Sequence, residues 1–129
     1  MKIITVQSSC SEELIDITRQ VIEAVNEYNV SEGFCCIYTP HTTAAVTINE
    51  NADPSVKRDI LFGLGSLNFE NVHYLHGEGN SAAHIKSSLF GASEMVIVSK
   101  GRLQLGTWQG IYLCEFDGPR SRKVYISVS

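Results

Sequence analysis

From Met95 to Val128 the chain reads as strand after strand, with no stretch long enough for a crossover helix. Met95-Val96-Ile97-Val98, Leu103 to Leu105, Gly110 to Phe116 and Lys123 to Val128 carry the strand patterns. Lys100-Gly101 and Asp117-Gly118-Pro119 read as the turns between them. Short turns join antiparallel strands, whereas parallel neighbours need a long connection. This third of the chain therefore predicts antiparallel pairing and rules out regular βαβ winding.

The rest of the chain mixes both element types. Residues 2–7 alternate as a strand. Ser9 and Glu12 have capping-box spacing, and Leu14, Ile17, Val21, Val25 and Tyr28 recur at three-and-four spacing, so a long helix is expected over about 11–29. A strand is expected from Phe34 to Thr39. Asp53-Pro54 reads as an N-cap and first helical residue, opening a helix with Val56, Ile60 and Leu64 on one face that stops by Gly63 to Ser66. Residues 67–80 are Asn- and Gly-rich and read as a loop. Ser81 is expected to cap a short helix with Ile85 and Leu89 inward, closed by Gly91. The fold class is α+β: one domain over 1–129, a largely antiparallel sheet packed with one long and two shorter helices.

Bulk properties narrow the function classes. The net charge is −4, which weighs against nucleic-acid binding through phosphate neutralisation. No apolar run approaches the ~20 residues of a membrane span, and MKIITVQ runs directly into a strand pattern, so a cytoplasmic protein is expected. Cys10, Cys35, Cys36 and Cys114 show no CxxC spacing and read as buried small hydrophobes; Cys35 and Cys36 are adjacent on a strand and face opposite ways.

The chemistry-bearing residues fall into three groups. PHTTAAVTINENADPSV opens on Pro40 and His41, followed by Thr42 and Thr43 and a polar run through Thr47, Asn49 and Asn51. Turn and cap duties explain part of that run, and a ligand face is the alternative. His73 and His76 lie in the loop, and His84 sits on the short helix. No spacing among the histidines is diagnostic of a metal. One strand end, one loop and one helix start can nonetheless bring His41, His76 and His84 together, and three imidazoles with an open fourth position make the catalytic zinc pattern. Solvated or hydrogen-bonded histidines are the competing reading. Finally, Lys100, Arg102, Arg120, Arg122 and Lys123 are half of the ten cationic residues, and Arg120 with Arg122 can fork a phosphate. The lone Trp108 reads as a core or interface residue. Glu115, on a strand between Cys114 and Phe116, is either a solvated residue or a partner for arginine, metal or proton.

PHTTAAVTINENADPSVKRDIL, AHIKSSLFG and GRLQLGTWQGIYLCEFDGPRSRKV, in this order, resemble the YjbQ-like family, described as secondary thiamine-phosphate synthases. The resemblance implies a small cytosolic α+β protein, typically a homotrimer. Its implied activity is weak coupling of a pyrimidine methyl diphosphate to a thiazole phosphate, with pyrophosphate release. Carried over motif by motif, it implies catalytic roles for His41, His84 and Glu115. It implies substrate contacts from Thr42, Thr43, Asn49, Lys86, Trp108, Gln109 and Arg120, with Trp108 and Gln109 walling the pocket in a trimer. A divalent metal, zinc or magnesium, on His41, His76 and His84 is the implied cofactor, and a small phosphorylated metabolite the implied partner. Another metal-dependent hydrolase, or a trimeric binding protein for a small anionic metabolite, are the alternatives.

Overall fold

The structure, a computed structural model, describes residues 1–129. In chain order its elements are β1 (Lys2–Gln7), β2 (Glu13–Asp16), α1 (Thr18–Tyr28), β3 (Glu32–Tyr38) and β4 (Ala44–Glu50). Then come α2 (Pro54–Ser66), a 3-10 turn (Phe69–Asn71), α3 (Ser81–Phe90), β5 (Ser93–Ser99), β6 (Arg102–Leu103), β7 (Gln109–Glu115) and β8 (Ser121–Val128). The expected α+β domain holds, with the strands divided between two antiparallel sheets. The larger has the order β1-β8-β3-β5-β6 and the smaller β2-β7-β4.

Apolar alternation decides how these layers stack. Val124, Ile126 and Val128 of β8, Cys35 and Ile37 of β3, and Val96 and Val98 of β5 all face inward. They meet Val21 and Val25 of α1 and Val46, Ile111 and Leu113 of the smaller sheet in one core. The other face of the smaller sheet presents Leu14, Ala45, Tyr112 and Cys114 to Leu64 of α2 and Ala83 of α3. β7 is therefore covered on both sides and buried from Gly110 to Glu115. No helix is long and apolar enough to cross a membrane.

Several local expectations are corrected. The long helix over 11–29 is a short strand followed by an 11-residue helix. Leu14 and Ile17 are buried as expected, but Leu14 points inward from an edge strand paired with β7, Leu14 opposite Cys114. Ser9 bonds the Glu13 carboxylate instead of capping a helix, and Asp16 accepts from the Thr18 amide and hydroxyl where α1 begins. With residues 11–17 outside the helix, four of them in β2, the three helices are near equal at 11, 13 and 10 residues. α2 starts as expected: Asp53 accepts from the Ser55 amide, with Pro54 at the first position. Asn80, not Ser81, precedes α3, and its side chain is turned to Asp117. α3 buries Ala83, Lys86 and Ser87 and leaves Leu89 60% exposed, because Ser87 Oγ must reach Ala44 O on β4. The strand expected to Leu105 shortens to Arg102–Leu103. Cys35 and Cys114 are buried, Cys36 is half-buried, and Cys10 lies exposed.

Candidate functional site

β3 and β4 are joined by Pro40-His41-Thr42-Thr43, and β7 and β8 by the turn through Asp117-Gly118-Pro119. Both connections lie at the same end of the molecule, because Ala44 pairs with Glu115 and Tyr38 with Tyr125. The loop before α3 and the first turn of α3 close the third side. Between them is an open cleft of about 370 Å³ lined by Pro40, His41, Thr42, Thr43, His76, Glu78, Asn80, His84, Asp117, Arg120 and Arg122. No hydrophobic side chain lines it.

Its floor is built by one buried ion pair. Alternation along β8 puts Arg122 on the same inward face as Val124, Ile126 and Val128. A buried guanidinium needs a partner, and Glu115, with no exposed surface, supplies it. Arg122 Nε donates to both carboxylate oxygens at 2.9 and 3.1 Å, and Nη2 donates to Thr43 Oγ1 at 2.8 Å. Ser8 Oγ donates to Glu115 Oε1 at 2.6 Å, and the Asp117 amide donates to Oε2 at 3.1 Å. Burial, the largest single influence, pushes this carboxyl's pKa up; the bonds from Arg122, Ser8 and the Asp117 amide together outweigh it and hold the group below its ordinary value. Glu115 is thus an ionised strut beneath the cleft at neutral pH, and its place there rules out the solvated strand face.

The walls carry the groups that can meet a ligand. His41 Nε2 accepts from the Lys123 amide at 2.9 Å. Burial first, then Arg122, Arg120 and Lys123, push its pKa down, with Glu115 opposing. An imidazole accepting at Nε2 and disfavoured as a cation is neutral with its proton on Nδ1, so His41 serves as a donor. Arg120 is half-exposed; its Nε donates to Asp117 O at 2.7 Å and its Nη2 to Asp117 Oδ2 at 3.0 Å. His76 and His84 stack edge to face, with ring centroids 5.4 Å apart.

Of the residues named from sequence, His41, Thr42, Thr43, His76, His84 and Arg120 share this cleft, with Glu115 directly beneath it. The others do not. Lys86 is turned away and buried between Glu12 and Glu70. Asn49 lies in a groove with Thr47, Ile60, Leu89 and Phe90. Gln109 opens β7 while Glu115 closes it, which separates them by about 20 Å at the rise of a strand. Trp108 beside it is 62% exposed, not a core residue. The three imidazoles also fall short of a zinc or magnesium cage. No three His, Cys, Asp or Glu side chains are grouped to hold an ion, and His41 Nε2 is already engaged. Sequence reasoning missed Asn80 and Asp117, and it gave Arg122 no structural duty. A lone arginine on the apolar stripe of the last strand was the available signal.

The comparisons agree with this architecture. The family model described as UPF0047 protein YjbQ-like matches residues 2–129. The UPF0047 protein YugU of Bacillus subtilis is 52% identical over 129 residues, 99% of this chain and 98% of that protein. The UPF0047 protein MJ1081 of Methanocaldococcus jannaschii is 53% identical over 123 residues, 95% of this chain and 89% of that protein. A YjbQ/UPF0047 family crystal structure from Clostridium acetobutylicum shares 50% identity, covers 100% of both chains and superposes with a TM-score of 0.97. A YbjQ-like crystal structure from Sulfolobus solfataricus, at 33% identity, covers 98% of this chain and 94% of that one, with a TM-score of 0.94. With a match across the whole chain and relatives above half identity, this protein belongs to the YjbQ-like UPF0047 family.

Proposed function

We propose that the cleft binds the phosphate or diphosphate of a small metabolite in the cytoplasm. We further propose that the chain has weak thiamine-phosphate synthase activity, coupling a pyrimidine methyl diphosphate to a thiazole phosphate. The observation that carries the first step is the lining: His41, Thr42, Thr43, Asn80, His84 and Arg120 offer donors that outnumber the carboxylates of Glu78 and Asp117, over a floor held by a buried arginine. In the coupling, the methyl carbon's bond to the diphosphate oxygen breaks, pyrophosphate leaves with the electron pair, and the thiazole nitrogen forms a new bond to that carbon. The protein's task is to position two phosphorylated partners and stabilise the departing charge. In this reading His41 Nδ1, Thr42 and Arg120, which line the cleft, donate to phosphate oxygens, and Glu115 holds Arg122 in register. Arg120 is already paired with Asp117, so an entering anion competes with that carboxylate and affinity is modest. The metal-dependent hydrolase is disfavoured, since the imidazoles form no ligand cage. The pure binding protein is separated by turnover.

Titration with inorganic pyrophosphate is expected to shift the NMR signals of His41 and His84. Arg120→Ala is expected to weaken binding by about tenfold, the worth of one charge-assisted hydrogen bond. No perturbation at the cleft, or an affinity indifferent to Arg120, would refute the anion site. Binding without consumption of the two synthase substrates would leave only the binding role.

The implied homotrimer belongs to the same proposal. Ile3, Phe34, Tyr38, Met95 and Ile97 stand 41–66% exposed on the larger sheet, outside the core. Register sets Phe34 opposite Ile97 and Ile3 opposite Tyr125, so they form one apolar face. Contiguous exposed apolar surface marks an interaction site. Light scattering is expected to give three copies for the native chain and a smaller species for Ile97→Glu; a native monomer would remove this part.

A further inference from the structure

Lys86 is the most deeply buried cation of the chain, and nothing in the cleft uses it. Its side chain leaves the buried face of α3 and ends between two carboxylates, Glu12 Oε1 at 3.0 Å and Glu70 Oε1 at 2.7 Å. Glu12 precedes β2, and Glu70 sits in the 3-10 turn at the base of the loop that carries His76 and Glu78. The other side-chain bonds of that loop region are local: Tyr74 Oη to Phe69 O, Asn71 Nδ2 to Asn68 Oδ1, and His76 near Glu78. Asn80, bonded to Asp117, fixes only its far end.

We propose that Lys86 is a positioning residue: through Glu70 it clamps the loop against α3 and so sets His76 against His84 at the mouth of the cleft. A lysine with only 2% of its side chain exposed is a fixed anchor, because leaving its pocket unpaired would strand the charge. Glu70 is half-exposed and belongs to a segment with few buried residues, so it is the half of the arrangement that can let go. Glu12 holds the ammonium from the opposite side and keeps it in place whether or not Glu70 is docked. The loop is therefore a flap with a single ionic latch, and closing the latch completes the wall that a ligand meets. The effect on affinity rests on the cleft reading above; the clamp itself does not.

The two isosteric variants Glu70→Gln and Glu12→Gln separate this role from general stabilisation, since each removes one charge from the same lysine. Glu70→Gln is expected to lower the backbone NMR order parameters across residues 72–79 and to abolish the NMR contact between the His76 and His84 rings. Glu12→Gln is expected to leave both as in the native chain. Pyrophosphate affinity should fall in Glu70→Gln and hold in Glu12→Gln. Native order parameters and an intact ring contact in Glu70→Gln would overturn the clamp, as would equal loosening in Glu12→Gln. If pyrophosphate fails to bind the native chain, the cleft reading falls while the order-parameter and ring-contact results still decide the clamp.

Discussion

Replacing Arg122 with methionine is expected to destabilise the protein by about 3–5 kcal/mol at neutral pH, the cost of leaving one member of a buried pair without the other. Glu115 would keep the Ser8 hydroxyl and the Asp117 amide but lose all three bonds from the guanidinium, two from Nε and one from Nη2. The same change strips Thr43 Oγ1 of its donor. The pH dependence gives the prediction a sign. In the native chain the carboxyl's pKa is held below its unfolded value, so its stabilisation is present above the unfolded value, roughly 4.3, and is lost as pH falls through the folded one. Without Arg122, burial dominates and the folded pKa lies above the unfolded one. Folding then favours the neutral acid and loses stability as pH rises. The gap between native and variant should thus narrow on going from pH 7 toward pH 4 in urea denaturation. Adding Glu115→Leu to Arg122→Met should recover much of the loss, since an apolar pair of similar volume tolerates the site. A neutral-pH deficit under 1 kcal/mol, or one that does not shrink in acid, would contradict the strut.

A second large effect is expected at Gly118. A methyl group there would overlap the Cys10 carbonyl and stand 2.7 Å from Ser8 Oγ and 2.8 Å from Glu115 Cγ. The Cys10 contact is with backbone, which cannot swing aside as a side-chain tip can. Gly118→Ala should cost about 1–3 kcal/mol as overpacking, and it should displace the Ser8 and Glu115 groups that seat Arg122. Gly63→Ala is the control, because a Cβ there meets nothing within 4 Å and the residue lies inside α2. Helix propensity favours alanine at such a site by up to about 1 kcal/mol. Thermal unfolding of the two variants in parallel tests the contrast, and a Gly118→Ala melting point equal to native would count against the crowded turn.

These outcomes depend on features that differ in how far the chain order reveals them. Period-two alternation made β1 and β8 readable, apolar runs bounded by turn signals did the same for β3, β5 and β7, and the Asp53-Pro54 start of α2 followed from local cap chemistry. β2 was hidden because Leu14 and Ile17 fit a three-residue helical step as well as they fit a strand running into α1. What separates those readings is β7, which supplies the antiparallel partner and lies far along the chain. That His41, His76 and His84 could share one cleft was legible from their places at a strand end, in a loop and at a helix start. The duty of Lys86 was not, since a lysine's charge says nothing about whether ligand or protein will neutralise it. Its partners, Glu12 and Glu70, come from two separate segments. Asn49 and Gln109 were misplaced for a related reason: motifs cluster in sequence, but a seven-residue strand such as β7 carries its ends to opposite rims.

The order β1-β8-β3 has a consequence for the nascent chain. Lys2 of β1 faces Ile126 of β8, and β3 finds its neighbour on that side only in the same strand. A ribosome must therefore deliver nearly all of the sequence before the first strand gains any ladder partner. Until β8 emerges, β1 waits with open amide and carbonyl rows, and the larger sheet closes last.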